Sequence, residues 1–173
     1  QTKIEIIMKN ISLFIALSLL FACQPEVKVV IDTTDIDEKF AKNCLTVKSY
    51  LDDFVNESVD YDKYYNDTCL IRGTMISSEG PMNLDQRKAT HKDLWAKYDF
   101  SNSNTISFLP GVNQYSKEVD GSVRFYFDWT ITNSENSKSI TLPLYMSFDF
   151  DENGKFNFIQ YFGDITAAFS SIE

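Results

Sequence analysis

The chain has 173 residues, with 25 Asp and Glu against 16 Lys and Arg, and 14% of its positions are Phe, Tyr or Trp. A formal net charge of −9 repels phosphate backbones, and no cluster of basic residues interleaved with aromatics makes a local exception, so no nucleic-acid partner is expected. Fourteen Phe and nine Tyr are enough to fill a single core and argue against disorder.

In chain order the first feature is an export signal. Met8-Lys9-Asn10, an apolar run of 11 residues from Ile11 to Phe21, and Ala22-Cys23 supply a basic start, an apolar stretch and a small residue before a cut. The run is too short for the roughly 20 residues that a membrane-spanning helix needs. Leu20-Phe21-Ala22-Cys23 resembles a lipobox, which would make Cys23 the lipidated first residue, carrying palmitate or a similar chain. The alternative is an ordinary secretory signal with a chance cysteine at the cut, and Phe21, large for its lipobox position, lends it weight. The expected organisation is an upstream extension and signal peptide over 1–22, a lipidated tether over 23–33 and one domain over 34–173. Loss of Lys3, Glu5 and Lys9 with the signal leaves 14 basic and 24 acidic residues, a net of −10. Gln24 stands where an Asp would mark inner-membrane retention, so the expected location is the cell envelope, held to the outer membrane by the lipid.

From Thr34 the apolar residues Ile36, Phe40, Cys44, Val47, Leu51 and Phe54 form one stripe of a helix of about 22 residues, capped by Thr34 or Asp35. A short helix around Tyr61, Tyr64 and Tyr65, started by Ser58 or Asp60, runs into a strand over 68–74, and 77–81 turns. A third helix opens at Asn83, with Gln86 completing a capping box, and continues to about Tyr98; His91, Leu94, Trp95 and Tyr98 share a face. The period then changes. Residues 105–119, 122–133, 138–150 and 155–162 read as a four-stranded antiparallel meander, broken at Asp120-Gly121, at 133–137 and at Asn153-Gly154. Pro143 in the third of these predicts an edge or a bulge, because proline has no N–H for the ladder. Cys44 and Cys69 read either as a disulfide or as separate buried thiols.

Three helices followed by long bent strands make an α+β domain. Phe127-Asp128-Trp129-Thr130-Ile131-Thr132, Phe148 to Phe156 with its Asp and Gly turn, and Gln160-Tyr161-Phe162 echo the later strands of the NTF2-like or SnoaL-like family, which the chain resembles over roughly 34–165. The resemblance implies three N-terminal helices packed in the concave face of a strongly bent, mostly antiparallel sheet, a cystatin-like cone with a pocket at its mouth. It implies frequent homodimers, and it covers dehydratases, isomerases, polyketide cyclases and noncatalytic binding modules alike. Where catalytic members carry an Asp near the end of the last strand, this chain has Tyr161-Phe162-Gly163-Asp164, with Gly163 in the way.

Alternation over Val123 to Ile131 puts Phe127 and Trp129 on the face toward the helices and Asp128 on the other. His91 is the single imidazole and a candidate general acid or base, with Asp128 as a candidate carboxylate partner. The competing readings are a hydrogen-bonded core or rim histidine and a solvated strand acid. Phe54, Tyr65, Trp95, Phe127, Trp129 and Tyr145 are the candidate ligand-binding aromatics. Asp149 to Gly154 matches half a calcium loop, but its twelfth position is Gln160 and its flanks are strands, so it reads as a hairpin turn. No metal and no cofactor are expected, and no nucleophile elbow or phosphate loop occurs. Three functions are compatible with the sequence: a noncatalytic cone for a small apolar or aromatic ligand, a lyase or isomerase using His91, and a homodimeric interaction module.

Overall fold

The computed structural model describes residues 34–75, 79–103 and 106–173. The signal, Cys23 and the tether lie outside the described residues. Helix α1 (Thr34–Val55) has the 22 residues that its stripe predicts, with Asp35 and Asp37 in the first turn, where the helix dipole favours anions. Thr34 and Asp35, the expected caps, both lie within the helix. Val47, Tyr50, Leu51 and Phe54 are buried. Asn43 is also buried, and its side-chain amide donates to the Gly121 carbonyl at 2.8 Å, which ties α1 to the sheet.

Helix α2 (Tyr61–Tyr64) is a single turn capped by Asp60, and it is shorter than the tyrosine spacing suggests. Tyr65 is already extended and opens β1 (Tyr65–Arg72), because pairing with Phe156 replaces the next helical bond. Helix α3 (Leu84–Trp95) begins with the expected capping box, in which Asn83 Oδ1 accepts from Gln86 N–H and Gln86 Oε1 accepts from Asn83 N–H. It stops at Ala96 instead of running to Tyr98. Tyr98 belongs to β2 (Tyr98–Asn102), a five-residue strand hidden behind the tail of the helical pattern.

The remaining strands are β3 (Ser107–Val112), β4 (Val119–Asn133), β5 (Ser139–Phe150) and β6 (Phe156–Phe162). They make one strongly curled half-barrel in the order β1-β6-β5-β4-β2, with β3 also pairing on β4. All pairs are antiparallel except β1 with β6. The expected break at Asp120-Gly121 is instead a bulge inside β4: the register against β3 shifts between Pro110 and Val112, and Gly121 takes φ +78°. The chain reverses earlier, around Asn113, whose side-chain oxygen accepts from Tyr115 and Ser116 N–H.

Pro143 lies on β5, which is flanked on both sides, and not on an edge strand. The ladder to β6, however, begins two residues later, at Tyr145 with Phe162, and the Pro143 carbonyl faces Gly163 past the end of β6. Locally no N–H is required there. Helix α4 (Ile165–Ile172), which the sequence pattern does not announce, is capped by the exposed Asp164 and buries Ile165, Ala168 and Ile172. Among the described residues three helices of more than one turn therefore accompany the sheet, one of them after the last strand. Cys44 and Cys69 are separate thiols, and burial pushes them up to about 11 and about 12.

At Gly163 a Cβ would stand 2.3 Å from Leu144 Cδ2 and 3.3 Å from the Pro143 carbonyl oxygen. Gly163→Ala is expected to cost about 1–3 kcal/mol of stability in denaturant unfolding, the usual range for an overpacked core. An unchanged midpoint would show that the β6–α4 junction shifts freely.

Candidate functional site

The curled sheet leaves more concave surface than the helices cover. The remaining space is a cavity of about 320 Å³, within the usual range of small-molecule sites. From α1 it receives Tyr50, Leu51 and Phe54, and from α3 Arg87, Thr90 and Leu94. The alternation of β4 and β5 delivers Phe127, Trp129, Leu144 and Met146, while β6 adds Tyr161. Tyr98, Ile165, Phe169 and Glu173 are further lining residues. Trp129 stacks on Phe100 with centroids 5.0 Å apart and planes 5° from parallel.

Phe54, Phe127 and Trp129 thus line the cavity, and the other candidates are placed elsewhere. Tyr65 is buried beside it, its hydroxyl donating to Tyr50 Oη at 2.8 Å. Trp95 donates its indole N–H to the Phe54 carbonyl at 3.1 Å and stands over His91. Tyr145 points to the convex face, against the exposed rings of Tyr126 and Phe162. It is therefore not part of the cone.

His91 is fully buried and does not line the cavity. The rings of Phe54 and Trp95, each with its centroid 5.0 Å away, pack against it, and its Nδ1 is 2.8 Å from the Tyr61 hydroxyl. Its Nε2 has no partner. Asp128 is exposed on the opposite face of β4, where its backbone N–H donates to Ser103 Oγ at 3.2 Å. The structure does not bring the imidazole and this carboxylate together, and the two requirements of a general-base dyad, contact and access, are both unmet.

Arg87, which the sequence reading did not single out, is the group with exposed chemistry inside the cone. It is 8% exposed, and its guanidinium lies 5.7 Å from the Tyr161 ring centroid. One Nη donates to Tyr50 Oη at 3.4 Å, and Nε has no partner. The salt bridges among the described residues, Lys63–Asp53 and Arg124–Asp149, do not include it. Burial disfavours the cation, but the phenol oxygens of Tyr50, Tyr65 and Tyr161 hold its pKa above the ordinary arginine range. A signal did exist: Arg87 precedes His91 by four residues and Leu94 by seven, so it stands on the apolar stripe of α3.

Burial, and then the Arg87 charge, hold His91 down at about 2, against an ordinary value near 6.5. Between those limits the unfolded chain binds a proton that the folded chain refuses. Above about pH 6.5 both states are neutral at this site; below it, stability falls by up to about 1.4 kcal/mol per pH unit. His91→Gln, which keeps a hydrogen-bonding group opposite Tyr61, is expected to flatten that loss between about pH 6 and pH 4 in denaturant titrations. Parallel stability curves for the two proteins would show that the imidazole titrates normally.

No family model matches the sequence, and no curated protein is found similar to it. Solved structures are similar in fold. A proposed polyketide cyclase from Xanthomonas campestris pv. campestris is 10% identical at a TM-score of 0.60, over 78% of this chain and 99% of that one. BvnE pinacolase from Penicillium brevicompactum is 16% identical at 0.57, over 79% and 94%. An NTF2-like protein from Exiguobacterium sp. 255-15 is 11% identical at 0.50, over 69% and 98%. At such identities the likeness speaks for the fold alone, and the described residues from Thr34 to Glu173 have the NTF2-like cone fold.

Proposed function

We propose that this protein is a lipid-anchored protein of the cell envelope whose cone binds a small apolar or aromatic molecule without transforming it. The observation that carries this reading is the chemistry of the cavity wall. Aromatic and aliphatic side chains dominate it, and its ionisable groups other than tyrosines are Arg87 and the exposed C-terminal Glu173. An arginine does not exchange protons near neutral pH, and the lining holds no imidazole and no buried carboxylate among the described residues. Apolar walls with a few placed polar groups are what a binding site needs. The anchor reading rests on the signal and lipobox pattern ending at Cys23.

Three experiments test the two halves. A naphthylamine dye that brightens in apolar surroundings is expected to bind the purified protein and to lose most of its signal in Met146→Trp, which fills the cone; equal signal in the variant would place the dye elsewhere. Turnover of any bound small molecule that disappears in His91→Ala would overturn the noncatalytic reading. Labelled palmitate is expected to enter the protein in cells, and Cys23→Ser to abolish labelling and release the protein from the outer-membrane fraction. Labelling that survives Cys23→Ser would sink the anchor assignment.

A further inference from the structure

Arg87 poses a question that a purely apolar ligand does not answer. A guanidinium with five donors is 8% exposed, yet it meets only neutral phenols, through a hydrogen bond to Tyr50, long at 3.4 Å, and a polar contact with Tyr65. Its Nε is buried without any partner. Burying a charge without a counter-ion is costly, and replacing it by an apolar side chain of similar volume is often neutral or stabilising. Among the described residues no carboxylate lies within salt-bridge distance of it. Arg87 itself lines the cavity, with Leu144, Met146 and Phe127 among the residues that share it.

Resting on the binding reading above, we propose that the cone is a site for monoanionic carboxylic acids with an apolar body, and that Arg87 and the Tyr50 hydroxyl receive the carboxylate. Tyr50 is suited to this part. Its oxygen accepts from both Tyr65 Oη and Arg87 Nη, which leaves its own proton to donate to a third partner. A carboxylate presents two oxygens in one plane, the arrangement that a guanidinium fork binds in bidentate fashion. A dianionic phosphate is disfavoured, because Arg87 is the only Lys, Arg or His among the lining residues and the protein as a whole is acidic. The body of the ligand meets Phe127, Trp129, Leu144 and Met146 in a space about as large as ten liquid waters. The imidazole of His91, shut off from that space, takes no part.

The test compares 4-phenylbutyrate with 4-phenylbutanol and 4-phenylbutylamine, three ligands with one body and different heads, by displacement of the dye from the whole protein. The acid is expected to bind roughly 10- to 100-fold more tightly than the alcohol, the range of a charge-assisted hydrogen bond, and the amine to bind most weakly. Arg87→Met is expected to erase the preference for the acid, read as the ratio of acid to alcohol affinity within that variant, and Tyr50→Phe to reduce the preference several-fold. The acid should also raise the melting temperature of the unaltered protein more than that of Arg87→Met at the same concentration. Equal affinity for acid and alcohol in the unaltered protein overturns the carboxylate assignment whatever the variants do, and leaves the cone as a binding site. Failure of the dye and of all three ligands to bind overturns the binding reading itself. A preference for the acid that survives in Arg87→Met places the anion elsewhere and also overturns the proposal.

Discussion

Tyr50 is the point on which the cone closes. Its ring meets Tyr64, Tyr65, Phe148 and Phe156 at centroid distances of 5.3 to 5.8 Å, each near an edge-to-face angle, so one residue joins α1 to α2, β1, β5 and β6. Such aromatic pairs contribute about 0.5–1.5 kcal/mol each beyond the area they bury. The same residue carries a hydroxyl, and a buried hydroxyl must be satisfied. The ring therefore faces the aromatic core while the oxygen faces Tyr65 and Arg87 at the cavity wall. Packing on one side and polarity on the other leave the helices no way to slide inward and fill the cone.

Two ionisable groups on one helix face meet different fates for the same electrostatic reason. Arg87 and His91 are one turn apart on α3 and both are buried. The guanidinium keeps its proton under any ordinary condition and so keeps its charge. The imidazole can give its proton up, and burial together with the neighbouring cation makes it do so. A neutral histidine bonded to Tyr61 then serves as a polar wedge in an aromatic wall formed with Phe54 and Trp95. The fold is shared with proteins of quite different description, so the distinguishing information lies in what lines the cavity and not in the sheet that shapes it.

What is legible in the sequence is what depends on neighbours along the chain. The stripe from Ile36 to Phe54 sets α1, the Asn83 and Gln86 pair sets the start of α3, and strict alternation over Val123 to Ile131 sets which face of β4 meets the helices. The turn at Asn153-Gly154 is legible too, because Gly154 takes the positive φ that the hairpin needs and Asp151 accepts from the Asn153 and Lys155 N–H groups. Strand β2 is not legible, since five residues are too few to show a period and Tyr98 extends the helical one. At Asp120-Gly121 the same positive φ serves a bulge as readily as a turn, and only pairing with β3 decides between them.

The chain by itself thus determined the class of the fold, the faces of its longest elements and the aromatic character of its interior, because periodicity and capping act over a few residues. Tertiary structure alone decided that α1 and α3 stop short of filling the curled sheet, that His91 is sealed behind Phe54 and Trp95, and that Asp128 and Tyr145 stand on the far side of the sheet from the cone. It also decided the environment of Arg87. An arginine on a helix reads as a solvated charge because most are exposed, and it becomes an unpaired cation in an apolar cavity only when strand residues 40 or more positions further along the chain close over it.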